Sequence, residues 1–292
     1  MAIYNLHGEQ LSAVYNLSGE ELDHAFNISG DLIYSKAAPI PPIRLKVMEY
    51  NVGQWYDGTA SAIPAEKQAA YYELQNGMIS RADPDVLLLC EYSDTLVDGT
   101  TAVQMLGQYF PYIHRVPISE SSSYSARAIC SKYPISNYTK HVFENNRNNY
   151  YDEATITVDG TPITVIVTHL SPHSNAERWA QFQVLMSFLQ AKEMFICGGD
   201  FNTLDCTAVT GADYENMIWP MIRAGFGVAN CADFGFIRTY SNQPLDSWTG
   251  CLDNIVTSVN FTVLSAIRDD AKLSNSAVEK TDHMPLIAVL ET

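Results

Sequence analysis

The chain has 292 residues, 47% of them apolar and 17% charged, and a net charge of −16. That length buries roughly three quarters of the unfolded surface, and the composition is too apolar for a disordered chain. The charge excludes a binder that holds polyanions through a sequence-independent basic stripe, but not phosphate chemistry at a site where bound cations supply positive charge.

At the start, YNLHGEQLSAV, YNLSGEELDHA and FNISGDLIYSK begin at Tyr4, Tyr15 and Phe26 and repeat every eleven residues. Each unit pairs an aromatic with Leu or Ile on one strand face and follows with a glycine and an acid, which is turn chemistry. A glycine in every unit would cost a helix about 1 kcal/mol each time. Residues 1–36 therefore read as three β repeats, a small meander that serves docking or self-association or stands as a structural extension. Residues 37–44, AAPIPPIR, form a Pro-rich, semi-rigid linker.

Residues 45–292 read as one domain of apolar strands alternating with helices, an α/β layered fold. RLKVMEYN alternates like a strand, AEKQAAYYELQNGMISRA is a helix closed by Asp83-Pro84, and DVLLLCEY is a strand buried on both faces. ARAICSKYPI is a further strand, and DEATITVDGTPITVIVTHL is a hairpin turning at Asp159-Gly160. NAERWAQFQVLMSFLQAK repeats Trp179, Phe182, Leu185, Met186 and Leu189 at helical spacing, and MFICGGDF, CLDNIVTS and FTVLSAIR complete the strands. The six cysteines show no CxxC spacing, which argues against structural zinc; a Cys206–Cys231 disulfide stays open, because separation in sequence says nothing about geometry. No basic stretch followed by an apolar segment opens the chain and no apolar run reaches membrane-spanning length, so a cytoplasmic protein and one secreted after processing both stay open.

Several strands end in polar residues that packing does not explain: Asn51, Glu91, His169, Asp200 with Asn202, Asp253, and Asp282-His283 before the last strand. Singly, each is a strand-end cap. Together they are all Asn, Asp, Glu or His, and carboxylates gathered at buried strand ends repel one another unless a cation or protons intervene. An oxygen-rich set without cysteine suits a hard ion such as Mg2+, and histidines beside it supply a proton donor or acceptor. Such a set serves hydrolysis of a phosphate ester.

In order and spacing, YNVG, PDVLLLCEY, SKYPI, THLSP, RWAQF, GGDFNTL, LDNIV and TDHMPL resemble the endonuclease/exonuclease/phosphatase family, over roughly residues 44–291. That family includes deoxyribonucleases, abasic-site endonucleases, neutral sphingomyelinases and inositol polyphosphate 5-phosphatases. The resemblance implies a four-layer sandwich of two mixed sheets flanked by helices, with the site at one edge of the sheets. It also implies a Mg2+ ion, with Mn2+ or Ca2+ as substitutes, held by Glu91, Asn51 and Asp282. Asp200 and Asn202 would orient the attacking water and hold a phosphate oxygen, Asp253 would fix His283, and His169 would donate to the phosphate. Arg127, Tyr151, His173 and Arg178 are candidate substrate contacts, although Arg178 with Gln181 reads first as a brace of the site and Tyr151, a strand aromatic, reads first as core. The implied activity is a phosphodiesterase acting on nucleic acid. Hydrolysis of a small or lipid phosphoester is the alternative favoured by the acidic charge, and a noncatalytic binding protein would have lost a catalytic residue, which this sequence has not.

Overall fold

The computed structural model describes residues 24–26, 32–35, 41–53, 65–94, 101–116, 126–143, 150–240, 250–269 and 283–292. The chain divides into two units, 1–42 and 43–292. In the first, β1 (His24–Phe26) and β2 (Leu32–Ser35) pair antiparallel, with His24 opposite Ser35. The expected strands at Tyr4 and Tyr15, the Phe26-Asn27-Ile28 alternation beyond Phe26, and the linker before Pro41 lie outside the described residues.

The second unit is built on two six-stranded mixed sheets. One has the order β13 (Thr262–Arg268), β14 (Leu286–Glu291), β3 (Arg44–Asn51), β4 (Val86–Tyr92), β6 (Ala126–Ser131), β5 (Tyr112–Val116). The other has the order β11 (Gly227–Val228), β12 (Asp253–Thr257), β10 (Phe195–Asp200), β9 (Thr161–His169), β8 (Tyr150–Val158), β7 (Ile135–Val142). Strand alternation assigns the layers. Val47, Leu88 and Ile129 of the first sheet meet Val165, Ile196 and Ile255 of the second between the sheets. Met48, Leu87 and Leu89 turn the other way, onto Met78 and Ile79 of α1 (Ala65–Ala82) and Met105 of α2 (Ala102–Leu106). On the far side, Ile166, Phe195 and Cys197 pack against Phe182 and Leu185 of α3 (Asn175–Gln190) and Met221 of α4 (Trp219–Arg223). The result is the four-layer sandwich that the family resemblance implies. Among the described residues no helix is long and apolar enough to cross a membrane.

Helix α3 starts where Ser174 caps it, its side chain accepting the Glu177 N–H at 3.2 Å. This helix is the crossover that makes β9 and β10 parallel neighbours. The hairpin between β8 and β9 turns at Asp159 and Gly160, both left-handed at φ 48° and 84°, as the Asp-Gly pair anticipates. One expected strand is two. ARAICSKYPI breaks at Lys132–Pro134, so β6 belongs to one sheet and β7 to the other. Proline donates no ladder hydrogen bond, and the chain uses this break to cross between the layers. β5 and α2 carry no marked periodicity in the sequence and are additions to the expected elements.

Candidate functional site

The site lies where strand ends of both sheets meet. Parallel register sets His169 of β9 beside Asp200 of β10, and antiparallel register sets Asp253 of β12 on the other flank of Asp200. All three continue the rows that face the opposing sheet, since His169 follows Val165 and Val167, Asp200 follows Ile196 and Gly198, and Asp253 precedes Ile255. Across the gap stand Asn51, which ends β3, and Glu91 of β4. A register shift between Leu89 and Tyr92 leaves Glu91 at φ 50°, a bulge with left-handed backbone that re-aims its side chain. Nothing in the apolar run DVLLLCEY signals that bulge.

Two glycines permit the approach. A Cβ on Gly198 would lie 2.6 Å from the Leu88 side chain and 3.4 Å from Glu49, so the bare backbone lets the sheets close just below the site. A Cβ on Gly199, whose φ is +156°, would fall 1.9 Å from the Thr168 carbonyl, so only glycine keeps β10 paired with β9 at the residue before Asp200.

Asp200 is the hub. Its Oδ1 accepts the backbone N–H of Asn202 at 2.8 Å, which pins the carboxylate. Its Oδ2 then faces the Asn51 amide at 3.0 Å, His169 Nε2 at 3.5 Å and His283 Nε2 at 3.6 Å. Asn51 Nδ2 also donates to Glu91 Oε1 at 3.0 Å, while its own oxygen takes the Gly53 N–H. His169 Nδ1 lies 4.0 Å from Glu91 Oε1. Asp253, fully buried, holds His283 Nδ1 at 2.8 Å, so the proton sits on Nδ1 and Nε2 is turned to Asp200. Asn202, left-handed at φ 53°, donates its amide to the Leu170 carbonyl at 2.9 Å.

Burial governs the electrostatics. It raises the Asp200 carboxyl above its ordinary range against the pull of both histidines, and lowers His169, which the Arg127 and His283 charges lower further. Glu49, two residues before Asn51 and completely buried, is pushed well above the usual carboxylate range by burial and by Asp253 and Asp200. Sequence reasoning misses Glu49, because alternation marks it only as facing the opposing sheet. Ligand atoms of Glu91, His169 and Asp200 lie within 4.8 Å of one another, as do those of Asp200, Asp253 and His283. Carboxylates with one imidazole in each group fit a divalent cation that prefers oxygen.

Asn51, Glu91, His169, Asp200, Asn202, Asp253 and His283 are thus brought together, while Asp282 lies outside the described residues. Asn51 differs from the expected ligand: as placed, its amide N–H bonds brace the two carboxylates. Arg127 is buried, donates to the His169 carbonyl at 3.0 Å and lies 3.6 Å over the Tyr150 ring, so it touches the site from behind rather than from the substrate side. Two further expectations are corrected. Tyr151 is buried and stacked on His141 with Phe143 and Phe188 around it, a core aromatic with no face for a substrate. Arg178 is buried in an ion pair with Asp213 at 2.9 Å and also reaches Asn175 and the Ser171 carbonyl. Gln181 accepts the Ser171 N–H at 2.8 Å, so the Arg178–Gln181 face of α3 braces the loop that follows His169. His173 is exposed on that loop.

Residues 73–283 match the sequence model of the endonuclease/exonuclease/phosphatase family. No curated protein matches the chain. Among solved structures, the human Nocturnin catalytic domain with bound sulfate anion is 22% identical at a TM-score of 0.61, over 88% of this chain and 97% of that one. D. rerio TDP2 complexed with a single-strand DNA product is 16% identical at 0.63, over 85% and 99%. A family protein from Bacteroides thetaiotaomicron is 16% identical at 0.62, over 86% and 95%. At these identities the likeness is one of fold.

Proposed function

The chain belongs to the endonuclease/exonuclease/phosphatase family, and from that premise we propose that it is a Mg2+-dependent phosphodiesterase that cleaves nucleic acid by in-line attack of water on phosphorus. The observation that carries the reading is the convergence on Asp200 of Asn51, His169 and His283, with Glu91 and Asp253 behind them. Glu91 and Asp282 would hold the ion, with Mn2+ or Ca2+ as substitutes for Mg2+. A bound divalent ion supplies Lewis-acid stabilisation of the charge that grows on the phosphoryl oxygens.

The protein's own groups do the rest. With Oδ1 fixed by Asn202, Asp200 presents Oδ2 as the acceptor of the attacking water's proton, and burial keeps it basic enough for that task. His283, its tautomer set by Asp253, offers Nε2 at the same point and as an imidazolium neutralises a phosphoryl oxygen. His169 stands between Glu91 and Asp200 and donates to the phosphate from the other side. Asn51 keeps the two carboxylates from splaying apart.

The D. rerio neighbour's single-strand DNA product supports nucleic acid as substrate. The net charge of −16 favours a second reading, the same chemistry on a small or lipid phosphoester. A panel of single-stranded DNA, plasmid, RNA, sphingomyelin, inositol phosphates and an aryl phosphodiester, with Mg2+ and with chelator, separates them. Metal-dependent cleavage of DNA or RNA, lost in Asp200→Asn, is the expected result. Turnover of the lipid or inositol substrates with nucleic acid intact selects the second reading, and no hydrolysis of any of them with Mg2+, Mn2+ or Ca2+ refutes both.

A further inference from the structure

We propose that Arg127 is a positioning residue for His169, setting where that imidazole stands through the residue's own backbone carbonyl, a role that rests on the phosphodiester hydrolysis proposed above. The two site histidines are held in different ways. His283 is fixed through its ring, since Asp253 holds Nδ1 at 2.8 Å. The ring of His169 has no comparable holder: Nε2 lies 3.5 Å from Asp200 and Nδ1 4.0 Å from Glu91, both beyond the length of a charge-assisted hydrogen bond. Its place is therefore set from the backbone.

Arg127 reaches that backbone from the opposing sheet. Between the pairs Leu89–Ala128 and Tyr92–Ala126, Cys90 and Glu91 of β4 stand opposite the single residue Arg127 of β6, so the bulge that turns Glu91 into the site has Arg127 facing it. From there the guanidinium crosses the gap between the sheets and donates Nη2–H at 3.0 Å to the carbonyl of His169, the last residue of β9. The Tyr150 ring, 3.6 Å from the guanidinium carbon, supports the group from one side. Arg127 is 3% exposed, and its Nε and Nη1 meet no acceptor among the described residues. Burying a guanidinium with donors unspent costs stability that an apolar side chain in the same layer would keep. What Nη2 holds accounts for its presence. A shift of the His169 carbonyl carries the Cα and the imidazole with it, and the ring has to stand between Glu91 and Asp200. Misplacing such a group by about 1 Å costs about a hundredfold in rate.

The test compares Arg127→Met, Arg127→Lys, His169→Ala and the double variant Arg127→Met with His169→Ala, all as full chains, on whichever phosphoester the parent cleaves with Mg2+. Arg127→Met should lower kcat about ten- to a hundredfold and leave KM within about twofold. In the His169→Ala background the same change should cost less than about twofold, because the group it positions is already gone. Arg127→Lys keeps the charge without the flat group on Tyr150, and should lose about three- to tenfold in kcat. Without any substrate, spectra of protein labelled at the histidine nitrogens should show the His169 ring signals displaced in both variants, and displaced further than those of His283. A raised KM at parental kcat returns Arg127 to the substrate, equal losses with and without His169 make it a general structural residue, and parental kcat in Arg127→Lys leaves it a counterion; each overturns the proposal, as do unmoved His169 signals. Where Arg127→Met fails to fold, Arg127→Lys decides by its kcat and its spectra. Where the parent cleaves no phosphoester the hydrolase reading falls by itself, and the ring signals still decide whether Arg127 places His169.

Discussion

Replacing Arg178 with Leu tests whether α3 braces the site or contacts substrate. Asp213 is 1% exposed and accepts both Arg178 Nη2 bonds, at 2.9 and 3.1 Å, besides the Trp179 indole N–H at 2.9 Å and the Asp205 backbone N–H at 3.1 Å. Removing one partner of a buried ion pair costs about 3–5 kcal/mol, because the other charge is left without its counterion. The two donors that remain to Asp213 place this case near the lower end, about 3 kcal/mol, with the lost Asn175 and Ser171 bonds adding to it. For a unit of this size that corresponds to a fall in Tm of about 6–12 °C. Calorimetry at neutral pH reads the shift directly, and Arg178→Leu combined with Asp213→Leu should recover at least half of it, since the orphaned carboxylate is gone. A Tm within about 2 °C of the parent, accompanied by a raised KM, would refute the brace and return Arg178 to the substrate.

Asp253→Asn should lower kcat by about a hundredfold or more while the folded state persists, because the amide cannot stabilise His283 as an imidazolium; near-parental turnover would remove Asp253 from the mechanism. Gly199→Ala should destabilise by several kcal/mol, with Gly198→Ala milder, because the first clashes with the Thr168 backbone and the second with the movable end of Leu88; equal urea midpoints for the two would contradict this. Burial pushes Asp152 from an ordinary 3.8 up to about 7 despite the neighbouring Arg127. The folded state therefore holds a proton that the unfolded chain releases, so Asp152 contributes stability below pH 4 that is lost as pH rises to about 7, on the order of 4 kcal/mol. Asp152→Asn should flatten that part of the stability–pH curve, and an unchanged slope would show the carboxyl to be ionised throughout. Chelation should abolish hydrolysis and Mg2+ should restore it, whereas activity that survives exhaustive chelation would exclude a divalent ion from the site.

Local physics made much of the molecule legible in the residues alone. Alternating or continuous apolar runs identified β3, β4, β8, β9, β10, β12 and β13, helical spacing identified α1 and α3, and Asp159-Gly160 marked its hairpin, because each depends on neighbours a few positions away. The ordered motifs likewise carried the family and the residues now seen around Asp200. What stayed hidden depends on partners distant in the chain. Alternation tells which face His169, Asp200 and Asp253 share, but only strand pairing makes them adjacent in register. An apolar run does not show the bulge that turns Glu91, and Pro134 does not say that the chain changes sheets there. Sequence left Arg178 between brace and substrate contact because its counterion, Asp213, lies on another element, and left Tyr151 between core and substrate for want of knowing what stacks on it. Sequence determined the elements, their faces and the chemical types at their ends; tertiary structure decided which ends meet and which charges are neutralised, since both follow from contacts that no local period encodes.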